Sequence, residues 1–277
     1  MTRTDVLITA QELLTQAMGR TPPRLLDVRW TQLKPDGRDD FARGHLPHAL
    51  YVDLDTELAD HGQTDPRAGR HPLPSPEQFQ TTVRTWGITP ETEVVVYDDN
   101  SGLGAARAWW LLRWAGLHAR VLDGGIDAWV SAGGDLEFGE AAAVAPSTVV
   151  ITPGSMPVID ADTAESWDGV LLDARAPERF RGETEPLDAV AGHIPGARNA
   201  PATENTADGY ILSEVDLRER FGDLGALEES VAVYCGSGVT ACHNAMVLAT
   251  LGVGSSLYSA SWSGWSSDPG RGIATGS

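Results

Sequence analysis

The sequence predicts an α/β protein built from two tandem copies of one domain, each a mainly parallel sheet flanked by helices. Two observations predict this fold: an internal repeat that spans the chain, and short continuous apolar segments with helical patterns between them. A length of 277 residues is sufficient for two domains that each bury a core. Hydrophobic residues make up 42% and charged residues 21%, which is typical of a globular protein and argues against disorder.

The repeat consists of four pairs of matching segments in the same order, at offsets near half the chain. The pairs are residues 25–29 with 171–175, 44–49 with 192–197, 94–97 with 231–234, and 125–129 with 261–265. Between the copies, a stretch rich in Gly, Ala, Pro and Ser predicts a linker. We therefore expect a first domain over residues 1–135, a linker over 136–155 and a second domain over 156–277.

Local patterns place strands and helices within each copy. Four short apolar segments predict strands buried on both faces of a parallel sheet, namely residues 25–28, 94–97, 170–172 and 231–234. Ser75 offers an N-cap, followed by a proline at the first helical position and by Gln78 as capping-box partner. Two further helices are predicted over residues 105–115 and 240–251, because a glycine follows each of them.

The charge balance limits the partners of the protein. A formal net charge of −19 disfavours binding to nucleic acid and to anionic membranes. An anionic substrate must therefore be captured by a local feature such as a single arginine. No apolar run is long enough to cross a membrane, and the N-terminus lacks the pattern of a secretory signal, so we expect a cytoplasmic protein. With only Cys235 and Cys242, no disulfide framework supports the fold.

The segment Tyr-Cys-Gly-Ser-Gly-Val-Thr-Ala at residues 234–241 is the predicted reactive site. A buried strand would deliver Cys235 to its C-terminal end, where open α/β sheets place ligands. Gly236 and Gly238 allow a tight curl before a helix begins, so that successive N–H groups can stabilise one anion, a thiolate or a persulfide. A lone cysteine is more often a buried structural residue, but the glycine-rich turn favours a functional one.

The first copy has Asp98 at the position equivalent to Cys235. A carboxylate cannot carry sulfur. We therefore expect the first domain to be catalytically silent and to serve as a scaffold and as one wall of a cleft.

The duplicated halves, the segment Gly-His-Ile-Pro-Gly-Ala at 192–197 and the segment Cys-Gly-Ser-Gly-Val-Thr-Ala at 235–241 resemble the tandem-domain rhodanese family over essentially the whole chain. This resemblance implies two tandem rhodanese-like domains and a sulfurtransferase. It also implies that a loop beginning at Cys235 cradles a persulfide, so that the Gly236, Gly238, Val239 and Thr240 backbone stabilises the sulfur. Sulfur would move from a donor to the enzyme and then to a nucleophilic acceptor.

The resemblance also implies roles for residues outside the loop. Arg179 matches an arginine that binds the anionic group of the donor, which suits the bidentate geometry of a guanidinium. Asp55, His71 and Ser237 match a relay that could polarise the donor carbonyl or move a proton, although a histidine in a proline-rich loop is more often only solvated. Trp30 matches a cleft-lining tryptophan, with ordinary packing as the alternative.

Two markers of the sulfur donor disagree. Residues Gly236-Ser237-Gly238 are similar to the 3-mercaptopyruvate branch, since the thiosulfate branch usually has bulky cationic residues there. The 3-mercaptopyruvate branch also tends to carry a second arginine after a Glu-Pro segment, and residues 185–190 contain none. We give the loop more weight because it touches the reacting atoms. The expected donor is thus 3-mercaptopyruvate, alternatively thiosulfate, and the expected acceptor is a thiol, a thioredoxin-like protein or cyanide.

Several residues that could suggest other chemistry are better interpreted as structural. Arg175, His45 and His193 have counterparts in both copies, including the silent one. Cys242 and His243 lack a Cys-x-x-Cys pair and a fourth ligand nearby, so we expect no metal, and no organic cofactor is implied. The pair of tryptophans at 262 and 265 is expected to pack in the core.

Three other functions compete with a sulfurtransferase. A cysteine phosphatase or arsenate reductase needs an arginine where Ala241 stands, which nearly excludes that class. A cysteine hydrolase could use His71 as its base, but an anion-cradling loop suits a sulfur anion better. A non-catalytic binding or sulfur-relay module is the third alternative, and the presence of Cys235 favours an enzyme over it.

Overall fold

The computed structural model describes residues 1–60 and 62–277. The strands of the first half are β1 (Leu7–Ile8), β2 (Arg24–Asp27), β3 (Leu50–Tyr51), β4 (Val94–Tyr97) and β5 (Ala119–Leu122). Those of the second half are β6 (Val158–Ile159), β7 (Val170–Asp173), β8 (Arg198–Asn199), β9 (Thr206–Ala207), β10 (Tyr210–Ile211), β11 (Val231–Tyr234) and β12 (Ser255–Tyr258).

Helices surround the strands in both halves. In the first half they are α1 (Arg3–Val6), α2 (Ala10–Ala17), α3 (Arg38–Arg43), α4 (Leu54–Glu57), α5 (Pro76–Thr85), α6 (Ala105–Trp114) and α7 (Gly125–Ser131), with a 3₁₀ turn at Pro66–Ala68. In the second half they are α8 (Ala161–Glu165), α9 (Pro177–Phe180), α10 (Glu214–Asp223), α11 (Ala241–Thr250) and α12 (Ser261–Ser267), with a 3₁₀ turn at Ala202–Asn205.

Each half contains a five-stranded parallel sheet, and the two sheets have equivalent strand orders. The order is β1-β5-β4-β2-β3 in the first half and β6-β12-β11-β7-β8 in the second. The second half also contains a small antiparallel hairpin, β9-β10. The predicted fold of two tandem α/β copies with parallel sheets is therefore confirmed.

The sequence located the central strands well. Strands β4 and β11 have the predicted bounds, β7 is one residue longer than predicted, and β2 is shifted by one residue toward the N-terminus. Every residue of β4, β7 and β11 is buried, as expected for the middle of a parallel sheet covered on both faces. The two-residue edge strands were missed, because two residues carry no readable periodicity, and the four-residue strands β5 and β12 were not predicted either.

The predicted helix signals are also present. The Ser75 side chain accepts from the N–H of Gln78 at 3.2 Å, and the Gln78 side chain accepts from the N–H of Ser75 at 2.7 Å, which is a capping box. Gly116 and Gly252 follow α6 and α11 with φ of 79° and 80°, a left-handed conformation that glycine adopts without steric cost.

The two halves pack through helices α6 and α11, and their buried apolar side chains form one continuous core. Trp109 and Trp110 on α6 are completely buried. The segment between the halves lies along the first one: the N–H of Ser147 donates to Arg84 O, and the N–H of Thr152 donates to Ala115 O, both at 2.9 Å. Among the described residues, no helix is long and apolar enough to cross a membrane.

Candidate active site

Cys235 lies directly after β11, at the carboxyl end of a central strand. The backbone fixes its position, because the Cys235 N–H donates to Ser261 Oγ at 3.1 Å. The residue is only 1% exposed, and its Sγ accepts a hydrogen bond from the N–H of Gly238 at 3.1 Å. The sulfur thus faces the interior of the loop that precedes α11.

The loop has further N–H groups available for an anion. Within residues 1–60 and 62–277, the N–H groups of Gly236, Ser237, Val239 and Thr240 donate to no protein acceptor. They precede a ten-residue helix whose N-terminus carries a partial positive charge. An additional sulfur atom bonded to Sγ would bring negative charge close to these donors.

The equivalent loop of the first half binds a carboxyl group through its backbone. The Asp98 carboxylate follows β4 and accepts from four backbone N–H groups, those of Asn100 at 3.0 Å, Gly102 at 2.8 Å, Gly104 at 2.8 Å and Ala105 at 3.0 Å. Asp98 is only 1% exposed; burial raises the pKa of its carboxyl, and the four donors oppose that rise. The loop of the first half is therefore filled by the side chain of Asp98, which belongs to the loop itself.

A cavity of about 310 Å³ opens above Cys235 between the two halves. Both halves line it: the second with Cys235 and most of the loop, the first with Arg70 and with residues that follow β2 and β4. Besides Cys235, its lining includes Trp30, Arg70, Arg175, Arg179, Gly236, Ser237, Val239 and Thr240. Gly238 is not among the lining residues, and it contributes through the N–H group that points at Sγ.

A larger cavity, of about 610 Å³, lies on the first half and is lined by Arg24, Glu93, Trp129 and neighbouring residues. It contains no cysteine and no residue of the loop. The cavity above Cys235 is therefore the candidate site, because a cysteine, backbone N–H donors and cationic side chains converge there.

The structure brings together the three residues of the expected relay, although they come from different halves. Nδ1 of His71 and Oγ of Ser237 are 2.8 Å apart, within hydrogen-bonding distance. Nε2 of His71 lies 3.3 Å from Oδ1 of Asp55. The Trp30 ring meets the His71 ring edge-on, with centroids 5.8 Å apart, and Trp30 is 8% exposed. Trp30 thus packs against His71 as well as lining the cavity.

Arg179 is held in the cavity wall by an acidic partner. Its Nε and Nη2 donate to the Glu185 carboxylate at 3.2 and 2.6 Å, a bidentate pair. Glu185 also accepts from Arg175 at 3.3 Å, and Arg175 itself pairs with Asp173 at 2.6 Å. The structural salt bridge expected for Arg175 is therefore present, and Arg29 and Asp27 form its counterpart at 2.7 Å.

Two arginines of the first half were not recognised from the sequence. Arg107 on α6 is completely buried and donates to Leu58 O at 3.0 Å, His71 O at 3.1 Å and Gly238 O at 3.0 Å. It thus connects the histidine segment to the cysteine loop. Burial lowers the pKa of its guanidinium. The available signal was a charge with apolar residues on both sides in α6.

Arg70 is the second of these arginines. It lines the cavity above Cys235, and its Nη1 donates to the Asp188 carboxylate of the other half. The family resemblance had already assigned a role to its neighbour His71, so the sequence pointed to this segment but not to Arg70 itself. The first half thus supplies a cationic side chain of the kind that residues 185–190 lack.

The residues interpreted as structural have structural surroundings. His45 and His193 stack on Phe41 and Phe180, with ring centroids 3.7 Å apart in both halves. Each histidine also places Nδ1 within 2.9 Å of a backbone carbonyl oxygen. The tryptophans at 262 and 265 are buried in the core of the second half.

Cys242 and His243 are buried on α11 behind the loop. The Cys242 thiol donates to Gly238 O at 3.3 Å, and burial raises its pKa to about 12. His243 contacts Ser101 O at 3.1 Å through Nε2, and burial lowers its pKa to about 4. Among the described residues, no group of three or more His, Cys, Asp or Glu side chains is arranged to hold a metal ion.

Gly238→Ala should impair both folding and transfer. Gly238 has φ of +81°, and a Cβ there would lie 2.3 Å from Ser259 O, so the loop would have to move. We expect the free energy of unfolding to fall by about 3 kcal/mol, from left-handed strain plus overpacking. Gly133→Ala is the control, because Gly133 has φ of +86° but open space around it, and should cost only about 1 kcal/mol. Equal losses in urea denaturation would contradict the clash at Ser259.

Comparisons with known proteins agree with this geometry. The family model for the rhodanese-like domain matches residues 9–132 and 159–268. The chain is 46% identical to "Putative thiosulfate sulfurtransferase SseB" of Mycobacterium tuberculosis, over 99% of this chain and 98% of that protein. It is 42% identical to "Probable 3-mercaptopyruvate sulfurtransferase" of Pseudomonas aeruginosa, over 98% of each chain. The solved structure of 3-mercaptopyruvate sulfurtransferase from Leishmania major superimposes with a TM-score of 0.83 at 32% identity, over 95% of this chain and 74% of that one.

Two rhodanese-like segments together cover most of the chain, and in one of them a cysteine begins the loop before α11: the chain belongs to the rhodanese family. The relatives from Mycobacterium tuberculosis and Pseudomonas aeruginosa match this chain over 98% of their own length, and both bear sulfurtransferase names. The protein is accordingly an enzyme, a sulfurtransferase.

Proposed function

We propose that this sulfurtransferase moves sulfur from 3-mercaptopyruvate onto Cys235 as a persulfide and then passes it to a thiol or cyanide. The observation that carries the proposal is the Cys235 loop: Sγ accepts from the Gly238 N–H, and the equivalent loop of the first half holds a carboxylate with four N–H groups. This loop is suited to an anionic sulfur. Arg179 would bind the anionic group of the donor in the cavity above it.

The two candidate donors differ in how protons move. With 3-mercaptopyruvate, the Cys235 thiolate takes the donor sulfur, the C–S bond breaks, and the thiol hydrogen ends on the carbon of the pyruvate released. With thiosulfate, the thiolate takes the outer sulfur, the S–S bond breaks, and sulfite leaves without any proton transfer. Only the first reaction therefore gains from a proton relay.

The contact between Ser237 and His71 supports 3-mercaptopyruvate. The Asp55 carboxylate near Nε2 favours a hydrogen on that nitrogen, which leaves Nδ1 to accept from the Ser237 hydroxyl. Ser237 lines the cavity beside Cys235 and is 5% exposed. In this arrangement the Ser237 hydroxyl would take up the thiol hydrogen of the donor while passing its own proton to Nδ1 of His71, and the same two groups would return the proton to the carbanion that forms when the C–S bond breaks.

Thiosulfate is the second candidate donor. Residues 185–190 contain no arginine, and the relative from Mycobacterium tuberculosis bears a thiosulfate sulfurtransferase name. The acceptor completes either cycle: a thiolate or cyanide attacks the outer persulfide sulfur, the S–S bond breaks, and the Cys235 thiolate is released. A small thiol, a thioredoxin-like protein and cyanide all satisfy this chemistry.

Initial rates of thiocyanate formation with each donor test the proposal. We expect 3-mercaptopyruvate to give the higher kcat/KM. Ser237→Ala should lower kcat with 3-mercaptopyruvate by about 100-fold, because the proton relay is broken, and should change the rate with thiosulfate far less. The rate of Ser237→Ala with thiosulfate is thus the control, because that reaction needs no proton transfer. A preference of the wild type for thiosulfate would reject 3-mercaptopyruvate, and activity with neither donor would reject the proposed function.

A further inference from the structure

The cavity of about 610 Å³ on the first half lies at the opposite edge of the sheet from the Asp98 loop. Most of its lining comes from residues 21–25, 47–48 and 87–93, which precede or begin β2, β3 and β4. Because these strands are parallel, their amino ends share one edge, whereas Asp98 follows the carboxyl end of β4. The cavity is therefore separate from the one above Cys235.

Arg24 lines this cavity, and its guanidinium has no protein acceptor within residues 1–60 and 62–277. The residue is half-buried, and its Nε is buried without a hydrogen-bond partner. Burial lowers the pKa of the guanidinium, and no described carboxylate opposes this change. Every other arginine except the exposed Arg20 donates to an acceptor of the described chain. A partly desolvated guanidinium without an acceptor is costly, and a bound anion would satisfy it.

The fold itself does not require a cation at this position. Arg24 pairs in register with Val94 on the neighbouring strand. In the second half, Val170 pairs in the same way with Val231, which is the repeat equivalent of Val94. Val170 is buried, so an apolar residue serves the same place in the second sheet. The arginine is thus a feature of the first half alone.

The remaining wall of the cavity is rich in carbon. Leu25 and Trp129 contribute to it from the core of the first half, and further apolar lining comes from Ala17, Pro22, Pro23 and Pro47. The volume is within the range of small-molecule sites, which typically combine an apolar wall with a few polar groups that fix orientation. One guanidinium in such a wall suits a ligand with an apolar body and one anionic group.

Two glutamates limit the charge of that anionic group. Glu91 and Glu93 also line the cavity, but Glu91 accepts from Thr89 Oγ1 at 3.0 Å and Glu93 accepts from Arg120 at 2.8 Å. Their negative charges would repel a dianion such as a phosphate monoester, and a single guanidinium balances only one charge. A carboxylate is the matching group, because its two oxygens can accept from Nε and Nη of one arginine.

We propose that this cavity is a second ligand site, which binds a small monocarboxylate with an apolar body: Arg24 pairs with the carboxylate, and the wall around Leu25 and Trp129 covers the apolar body. The site lies apart from Cys235, so it goes beyond the proposed function and does not depend on it. The alternative is a hydrated guanidinium in a groove that binds nothing, and the two differ in whether a carboxylate binds there.

Titration of the full chain with 3-phenylpropionate tests the proposal. Cys235 is first carboxymethylated with iodoacetate, which places a carboxylate in the cavity beside Arg179 and blocks that site. Ligand-observed NMR then measures binding elsewhere, and we expect a dissociation constant of about 1 mM or tighter. The neutral 3-phenylpropionamide should bind about tenfold more weakly because it lacks the charge. Acetate should also bind about tenfold more weakly because it lacks the apolar body.

Three variants locate the binding. Arg24→Met should weaken it by about tenfold or more, and Ala17→Phe should weaken it by filling the cavity while Arg24 remains. Arg20→Met is the matched control, because Arg20 is exposed and does not line the cavity, and it should bind like the wild type. No saturable binding at millimolar concentrations, equal affinity for the amide, or wild-type affinity in Arg24→Met would overturn the proposal.

Sulfur transfer by the unmodified protein provides a readout of the separation between the two sites. Arg24→Met should keep the wild-type transfer rate, because Arg24 lies at the opposite edge of the sheet from the loops that face Cys235. A large loss of transfer in this folded variant would contradict a separate site. If the wild type uses neither sulfur donor, the proposed function fails while the titration still tests Arg24.

Discussion

Cys235→Ser should abolish sulfur transfer from both donors while the protein keeps its fold. Serine is nearly isosteric with cysteine, and the Gly238 N–H can still donate to its oxygen. However, a hydroxyl is not ionised at neutral pH and forms no persulfide, so transfer should fall by at least about 10⁴-fold, as when other enzymes lose their nucleophile. Thiocyanate formation measures the loss. Mass spectrometry after donor treatment should find one added sulfur atom on the wild type and none on the variant.

Cys242→Ser is the matched control for that experiment. Cys242 is buried, a pKa of about 12 keeps it a thiol, and it donates to Gly238 O, which a serine hydroxyl can also do. We expect transfer close to the wild-type rate. Wild-type turnover by Cys235→Ser would reject Cys235 as the sulfur carrier. A large loss in Cys242→Ser without unfolding would show that the second cysteine takes part.

Arg107→Met should destabilise the protein strongly. Arg107 is completely buried in α6 and its guanidinium donates to four carbonyl oxygens, those of Leu58, His71, Pro72 and Gly238. Methionine has similar length and no donors, so Leu58 O and His71 O would lose the hydrogen bonds from Arg107, and Gly238 O would keep only the one from the Cys242 thiol. We expect the free energy of unfolding to fall by about 3 kcal/mol, because removal of the buried charge offsets part of the lost hydrogen bonding.

The same variant should also lose activity, because Arg107 ties the segment before Pro72 to the cysteine loop. We expect kcat to fall by about tenfold or more even where the protein is folded. Urea denaturation and steady-state rates measure the two effects. Arg113→Met is the control, since it makes the same change on the same helix, where Arg113 contacts the exposed Met1. Equal effects of the two substitutions would show that Arg107 has no special role in shaping the loop.

The sequence predicts the part of the site that lies within one half, but not the contacts that residues make between the halves. The Cys235 loop is local: a buried strand, two glycines and a helix start are contiguous, so its geometry follows from the sequence. His71 and Ser237 are separated by 166 positions, and only the family resemblance suggested that they meet. Spacing along a chain says nothing about which surfaces of two domains face each other.

Arg70 and Arg107 illustrate the same limit. Each makes its contacts across the boundary between the halves, to Asp188 and to Gly238 O respectively. Nothing in their local sequence distinguishes an arginine that crosses an interface from one in solvent, apart from the apolar neighbours of Arg107. The missed edge strands have a related cause, since β3 and β8 are two residues long and owe their pairing to the strand beside them.

We expect the carboxylate in the first loop to limit the enzyme to one bound sulfur atom per chain. Asp98 accepts from four N–H groups of that loop, which therefore already holds a carboxyl group. Asn100 and Leu103 of the same loop line the cavity above Cys235, so the two loops face a single shared space. A molecule with two homologous domains should therefore carry one sulfur equivalent at a time. On this expectation the second copy of the domain extends the lining of the cavity without adding a second sulfur-carrying site.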